Sequence, residues 1–213
     1  MRLWGLPLAG QGDSGLYTFC RWLAVPLFGG LYRCRATGTE NLPREGALIV
    51  VTNHKANIDP VIVGMICDRP LRYMAKKELF GNAALRRLIV TLGAFPIDRG
   101  AGGRAALSTS LEILAGGGVL LMFPEGHRKR DDAVHEFLPG VGMLALRSGA
   151  PVVPLAMDGT QRMMAGGRPG LPALRARMGP RIDLSDLTAR NSRAYQEAAL
   201  RMHDVVAGQY AQL

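Results

Sequence analysis

The residues best suited to chemistry lie in one short polar stretch, residues 53–60, which directly follows the apolar run 47–51. The stretch carries a histidine and an aspartate, His54 and Asp59. An imidazole with an ordinary pKa near ~6.5 can take a proton at physiological pH when a carboxylate orients it. Residues five apart on one helix are rotated by roughly 140° and do not share a face. The two side chains can therefore meet only if the chain turns between them.

The dipeptide Asp59-Pro60 predicts where that turn lies. Aspartate is a preferred helix N-cap and proline a preferred first helical residue, so Asp59 is expected to cap a helix that runs through Val63. His54 would then lie in the loop before the helix. One Asp59 oxygen could accept backbone N–H groups while the other holds the imidazole. These residues alone leave two interpretations open, a catalytic pair or a helix cap beside a loop histidine.

The elements that must position this stretch alternate between strands and helices from residue 33 onward. This pattern predicts an α/β fold with a mostly parallel central sheet flanked by helices, and a ligand crevice at the carboxyl ends of the strands. A hairpin is expected over residues 175–184, turning at Gly179-Pro180, before a final helix capped by Asn191-Ser192. Strands are predicted at 33–37, 47–52, 72–75, 94–97, 119–123 and 151–156, and helices at 60–65, 83–92, 104–115 and 141–148.

The chain is expected to be one domain, with an N-terminal helical segment (1–32) and an α/β catalytic core (33–213). The uncharged run 22–32 is far shorter than the ~20 residues that a membrane-spanning helix needs. Two interpretations remain for it. It could pack on the core, which its helical spacing favours, or lie in a membrane interface with Arg21 and Arg33 near the headgroups.

The charge of the chain indicates an anionic partner. The formal net charge is +9 and the pI about 10.1, which suits phosphate groups, an acidic lipid surface or nucleic acid. Only 6% of residues are aromatic, and they do not alternate with basic residues, which argues against nucleic acid. Cys20, Cys34 and Cys67 show no metal-ligand spacing and are odd in number, which argues against a zinc site and a disulfide framework and favours a reducing cytosolic setting.

Further polar residues follow two other predicted strands. Asp98 and Arg99 follow 94–97, and residues 124–130 follow 119–123. If these strands are parallel neighbours of 47–52, their polar residues face the same crevice as His54. Guanidinium forks suit phosphate, so the set suits a phosphorylated substrate that carries a nucleophilic hydroxyl. Each arginine taken singly could instead form a surface ion pair.

Four blocks of this sequence resemble those of the glycerolipid acyltransferases, in particular the bacterial lysophosphatidate acyltransferases. Residues 53–59 resemble the NHxxxxD block, and residues 93–99, which end in Ile-Asp-Arg, resemble the second block. Residues 123–128 resemble the FPEGTR block, and residues 153–157 resemble the fourth, proline-bearing block. Two departures stand out, because His127 replaces the usual threonine and Lys129 replaces a common serine.

The resemblance implies transfer of a fatty acyl group from an acyl-CoA or acyl-carrier-protein thioester to the sn-2 hydroxyl of lysophosphatidate, giving phosphatidate. It implies no bound cofactor and no metal, since the thioester is a co-substrate. The expected place is the cytoplasmic face of the inner membrane, as a peripheral or monotopic protein on an anionic lipid surface, with Trp22 and Phe28 in the docking region. Another acceptor, such as glycerol phosphate or an amino-acid lysolipid, and a non-catalytic lipid-binding role remain open alternatives.

The resemblance also implies roles for individual residues. His54 would be the general base and Asp59 the residue that orients it. Pro154 would line the tunnel for the acyl chain. The residues that would bind substrate are Asn53, Lys76, Lys77, Arg99, Glu125, Gly126 and Arg128.

Overall fold

A computed structural model of the chain describes residues 14–67, 69–97, 104–164 and 167–213. Within these ranges the chain forms seven strands and six α-helices. The strands are β1 (Arg35–Thr37), β2 (Leu48–Thr52), β3 (Leu71–Lys76), β4 (Ala94–Ile97), β5 (Val119–Met122), β6 (Val152–Asp158) and β7 (Arg175–Met178). The helices are α1 (Ser14–Pro26), α2 (Asp59–Ile66), α3 (Ala83–Thr91), α4 (Arg104–Ala115), α5 (Gly140–Ser148) and α6 (Ser192–Tyr210).

The strands form one sheet in the order β1-β7-β6-β2-β5-β3-β4. Every neighbouring pair is parallel except β6 with β7. This confirms the predicted α/β fold with a mostly parallel sheet. Strand β2 is fully buried, as its unbroken apolar sequence predicts for a strand covered on both faces. Its neighbours are β6 and β5, so the carboxyl ends of all three strands lie side by side.

Helices cover both faces of the sheet and form two apolar layers. On one face Val25 of α1 and Ile62 of α2 pack with Leu155 of the sheet. On the other face Leu144 of α5 and Met202 of α6 pack with neighbouring strand residues. The two layers cover β2 on both faces of the sheet, so the loop that follows β2 begins at a buried, well-packed strand.

The segment after β7 does not form the predicted hairpin. Strand β7 pairs antiparallel with β6, with Ala176 opposite Met157. The chain then continues along β6 in the same direction, because Ile182 forms a bridge with Val152. The Gly179-Pro180 step therefore does not reverse the chain, and the hairpin prediction was wrong.

Helix α1 continues into a π-helical turn, Leu27–Leu31, and packs on the core through its inner face. The Arg21 guanidinium donates to the carbonyl oxygens of Gly64 at 3.1 Å and Cys67 at 3.2 Å, at the end of α2. Arg21 thus joins two helices, as cations at helix carboxyl ends commonly do, and is not directed towards headgroups. Asp13, of a residue type that commonly caps helices, precedes α1 in the sequence and lies outside the described residues. None of the described helices is long and apolar enough to cross a bilayer.

Candidate active site

Asn53 is the first residue after β2, and it fixes the start of the polar loop. Its side-chain amide donates to the Met157 carbonyl oxygen at 2.8 Å, and its side-chain oxygen accepts from the Met157 N–H at 2.9 Å. Asn53 is fully buried, so both of its polar groups serve the contact with β6. The prediction that Asn53 binds substrate does not fit this arrangement. It extends the pairing of β2 with β6 by side-chain hydrogen bonds.

His54 and Asp59 meet across the turn that follows Asn53. His54 Nδ1 lies 2.8 Å from Asp59 Oδ2. The carboxylate can only accept, so Nδ1 carries the proton and Nε2 of the neutral ring is left with a lone pair. Asp59 is fully buried, whereas the His54 side chain is 19% exposed. The imidazole is therefore held from the protein side and accessible from the crevice side.

The Asp59 carboxylate does not cap α2. Its Oδ2 also accepts the N–H groups of Lys55 at 2.7 Å and Ala56 at 2.8 Å, which come before it in sequence. Helix α2 begins at Asp59 itself, with Pro60 in its first turn. The predicted division of labour between the two oxygens was wrong, because Oδ2 takes all three hydrogen bonds while Oδ1 is buried with no hydrogen-bond partner among the described residues. The carboxylate closes the preceding loop around the imidazole.

Glu125 follows β5, the direct neighbour of β2, and holds the loop of His54. Its Oε2 accepts the His54 N–H at 3.2 Å and its Oε1 accepts the His135 N–H at 3.1 Å. Burial raises the pKa of Glu125, and the two backbone donors and the charge of Lys55 oppose that shift. A buried carboxylate that accepts two backbone hydrogen bonds is not placed to hold a phosphate. Both carboxylate oxygens of Glu125 contact the main chain, and the prediction that it binds substrate does not fit these bonds.

Phe123 and Gly126 flank Glu125 and complete the wall beside His54. The Phe123 ring stacks on the imidazole, with centroids 4.1 Å apart and planes inclined by 29°. Gly126 has φ +73°, a backbone conformation that residues with a side chain rarely adopt. Its N–H donates to the Phe123 carbonyl oxygen at 3.2 Å. The tight turn at Gly126 therefore supports the Phe123 backbone, and the predicted role of Gly126 in binding substrate stays a prediction.

Three of the basic residues predicted to bind phosphate lie at the carboxyl ends of strands, where His54 also lies. Arg128 is exposed, and its guanidinium donates to Asn57 Oδ1 in the His54 loop. Lys76 and Lys77 are exposed at the carboxyl end of β3, two strands from β2. Arg99 lies outside the described residues. The strand before it, β4, is separated from β2 by β5 and β3, so the condition that this strand neighbours β2 is not met.

An apolar cavity of about 280 Å³ lies between α1 and α2. Ile58, Pro60 and Val61 line one end of it, on either side of Asp59 in the sequence, and Leu71 and Leu92 also line it. Its volume is close to the lower end of the range, about 300–1,000 Å³, that is common for pockets of small ligands.

Pro154, predicted to line a tunnel for an acyl chain, is not among the residues that line this cavity. Side chains alternate between faces along a strand, and Val153 and Leu155 point to the layer that contains the cavity. Pro154 therefore points to the opposite layer, where it lies against Gly179. Pro154 thus lies on the face of the sheet opposite the cavity, and its role in an acyl tunnel stays a prediction.

Two residues that contact the predicted site had no role predicted from the sequence. Phe123 was recognised only as part of a block, and Asn57 only as part of a loop. The signal for Phe123 was an aromatic residue at the end of a strand beside a histidine loop. Among the described residues, no group of three or more histidine, cysteine, aspartate or glutamate side chains is placed to hold a metal ion.

Comparisons with known proteins agree with this geometry. A family model described as Acyltransferase matches residues 33–158. The 1-acyl-sn-glycerol-3-phosphate acyltransferase of Bacillus subtilis (strain 168) is 30% identical over 148 residues, which cover 68% of this chain and 72% of that protein. The protein of the same name from Streptococcus pneumoniae is 28% identical over 196 residues, covering 90% and 72%.

A solved structure shares the fold. The crystal structure of the 1-acyl-sn-glycerophosphate (LPA) acyltransferase PlsC from Thermotoga maritima superposes with a TM-score of 0.72 at 24% identity. The superposition covers 93% of this chain and 78% of that one. The seven-stranded sheet and its helices are thus an arrangement already seen in a solved protein.

Proposed function

Because the chain belongs to the acyltransferase family and is an O-acyltransferase, we propose that it moves a fatty acyl group from a thioester to the sn-2 hydroxyl of lysophosphatidate. The observation that carries the proposal is the His54–Asp59 pair at the end of β2, directly beside the loop of Glu125 and Arg128 at the end of β5. The pair supplies a base for a hydroxyl, and the loop supplies a cation for the phosphate. The relatives from Bacillus subtilis and Streptococcus pneumoniae are both named 1-acyl-sn-glycerol-3-phosphate acyltransferase, which supports this acceptor.

His54 acts as the general base in this proposal. Its Nε2 takes the proton of the glycerol hydroxyl while the hydroxyl oxygen bonds to the thioester carbonyl carbon. Asp59 accepts from Nδ1 and so stabilises the imidazolium that forms. The carbon–sulfur bond then breaks, and the proton passes from Nε2 to the departing thiolate. A thiolate leaves readily, since an ordinary thiol has a pKa near ~8.5.

Arg128 is the proposed contact for the acceptor phosphate. Its guanidinium lies against Asn57 of the His54 loop, so a phosphate bound there lies on the same side as the base. Lys76 and Lys77 extend the positive charge along the sheet edge. Arg99 joins this set by its place in the sequence alone. The net charge of +9 supports an anionic acceptor and an anionic surface.

The cavity between α1 and α2 is the proposed site for an acyl chain. Its lining is apolar apart from Arg21, Tyr17 and Cys20. An apolar chain gains by leaving water for such a lining. The lining residues Ile58, Pro60 and Val61 flank Asp59 in the sequence, which supports this cavity over the wall around Pro154 as the site for the chain.

The outer face of α1 and its π-helical turn is the proposed contact with the membrane. Trp22 is 69% exposed, and the exposed apolar residues of this face recur three or four positions apart. They are Phe19, Trp22, Leu23, Leu27 and Leu31. Phe28, expected in this contact, is buried in the core, because it occupies the inner face of the same turn. Leu85 and Leu88 of α3, a helix that lies against α1, are also exposed and flank Arg86 and Arg87.

These features support a peripheral or monotopic protein on an anionic membrane surface. The proposed side is the cytoplasmic face of the inner membrane, where acyl-CoA and acyl carrier protein are available as donors. Cations beside an apolar helix face favour a surface rich in acidic lipids.

The test is an acceptor panel with the purified chain. Lysophosphatidate, glycerol phosphate and an amino-acid lysolipid would each be supplied with acyl-CoA and, separately, with acyl-carrier-protein thioester. We expect the highest kcat/KM with lysophosphatidate, because it offers both a phosphate for Arg128 and an apolar chain. A higher kcat/KM with either other acceptor would contradict the proposed substrate.

A further inference from the structure

Lys55 directly follows His54, and its side chain is fully buried. A buried ammonium is costly unless acceptors surround it. Nζ donates to the carbonyl oxygen of Asp131 at 2.9 Å and to that of Ala133, and it lies 3.6 Å from Asp131 Oδ1. The ring of Tyr210 lies 5.2 Å from Nζ, within the range of a cation–π contact. One side chain therefore ties the loop at 131–133 and the end of α6 to the His54 loop.

The far side of this contact is itself anchored. The Tyr210 hydroxyl donates to Asp158 Oδ1 at 3.1 Å, at the end of β6. Burial raises the pKa of Tyr210, so the hydroxyl keeps its proton for this bond. Asp158 also pairs with Arg162 at 2.5 Å. The ammonium of Lys55 thus contacts a ring that is fixed to the sheet.

The backbone of Lys55 contacts the reacting pair. Its N–H donates to Asp59 Oδ2 at 2.7 Å, and this oxygen also binds His54 Nδ1. A movement of the Lys55 main chain would therefore change the position of the carboxylate and, through it, of the imidazole. The side chain and the backbone of one residue connect the surrounding structure to the base.

We propose that Lys55 is a positioning residue for acyl transfer. Its ammonium, held by the carbonyl groups of Asp131 and Ala133 and by the ring of Tyr210, fixes the main chain that orients Asp59 and His54. The proposal rests on the proposed function, because its kinetic tests measure acyl transfer. A lysine that served stability alone would lower the melting temperature when replaced and leave kcat of the folded protein unchanged.

The first measurement compares Lys55→Met with the wild type. Methionine keeps much of the length and removes the charge and its donors. We expect kcat to fall by about 10- to 100-fold, because small displacements of a catalytic group have effects of this size, while KM for acceptor and thioester changes much less. A folded Lys55→Met protein with wild-type kcat overturns the proposal.

The second measurement is a double-mutant cycle with Tyr210→Leu, which removes the ring over the ammonium. If Tyr210 acts through Lys55, Tyr210→Leu lowers kcat in the wild type and has no further effect in Lys55→Met. Equal effects in both backgrounds overturn the proposal. Tyr195→Leu, at another half-buried tyrosine of α6, is the control and should leave kcat unchanged. If Lys55→Met does not fold, the proposal is tested by comparing kcat of Tyr210→Leu with kcat of Tyr195→Leu. Equal kcat values in these two variants overturn the proposal.

A third measurement needs no substrate. Hydrogen exchange of the Ala56 amide reports on its bond to Asp59 Oδ2. We expect faster exchange in Lys55→Met and in Tyr210→Leu than in Tyr195→Leu, and equal exchange in the three overturns the proposal. If the wild type does not acylate lysophosphatidate while exchange rises as expected, the proposed function fails and the positioning role stands.

Discussion

The backbone N–H of His54 donates to Glu125 Oε2 at 3.2 Å, although the two residues lie 71 positions apart in the sequence. This contact joins the loops that follow β2 and β5, two strands that are parallel neighbours in the sheet. Glu125 also accepts the His135 N–H, so one carboxylate binds two segments of main chain beside the crevice.

Stability should depend on pH through Glu125. Burial raises its pKa above the ordinary value of 4.5. The folded state therefore binds this proton more tightly than the unfolded chain, so the contribution is fully present below the unfolded pKa and is lost as pH rises through the folded one. The free energy of unfolding of the wild type minus that of Glu125→Gln should fall as pH increases from about 4 to about 7. Urea titrations at several pH values measure it.

Glu136→Gln, at an exposed position nearby, controls for the loss of one negative charge. A stability difference between wild type and Glu125→Gln that grows as pH rises would contradict the assignment. The same set of titrations gives both results.

Gly126→Ala should destabilise the protein by about 1–2 kcal/mol, the usual penalty for a side chain in the left-handed region. Its φ is +73°, and an added Cβ would lie 2.8 Å from Leu138 Cδ1, an exposed side chain that can move aside. The cost thus comes from the backbone. Chemical denaturation measures it, with Gly140→Ala as the control, because Gly140 has no atom within 4 Å of an added Cβ. An equal effect of the two variants would argue against backbone strain at Gly126.

Arg128→Ala should raise KM for lysophosphatidate by about 10-fold or more, since hydrogen bonds to charged groups contribute about 1.5–3 kcal/mol. KM for the thioester should change far less. Initial rates at varied acceptor and varied donor separate the two constants. Arg130→Ala, a second exposed arginine of the same loop, should leave both unchanged. If Arg128→Ala raises both KM values equally, the phosphate assignment is wrong.

Trp22→Ser should weaken binding to vesicles of mixed zwitterionic and anionic phospholipid by about 10-fold, because a large aromatic side chain leaves the interface. Sedimentation with the vesicles measures the bound fraction. Leu200→Ser removes a residue of similar exposure, 53%, from α6 on the opposite layer and should bind as the wild type does. Equal losses in both variants would show that binding is not specific to the α1 face.

The strand pattern predicted much of the fold. The bounds expected for β4 and α4 match the structure, because apolar runs and their flanking polar residues define both elements locally. The turn between His54 and Asp59 was also predictable, since the Asp59-Pro60 step is typical of a helix start. The parallel sheet then brings the residues after β5 beside those after β2.

Other features depend on contacts that no local pattern contains. Asn53 pairs with Met157, which lies 104 positions away, and this contact exists only because β6 neighbours β2. The order of strands in the sheet is also why Ile182 continues along β6 where a hairpin was expected. Whether Glu125 faces a substrate or two backbone N–H groups depends on the final position of the His54 loop. Burial of Lys55 depends on two distant segments. The segment 131–133 supplies two carbonyl acceptors, and the end of α6 supplies the Tyr210 ring.

The central claim is that His54 is the base for acyl transfer, and turnover of His54→Ala tests it most directly. A positioned base contributes about 10²–10⁴-fold, so kcat should fall by at least about 100-fold with lysophosphatidate and the thioester that the wild type uses. The circular dichroism spectrum of His54→Ala should match that of the wild type. The control variant His203→Ala, on α6, should keep wild-type turnover. A folded His54→Ala protein that turns over at the wild-type rate would contradict the claim.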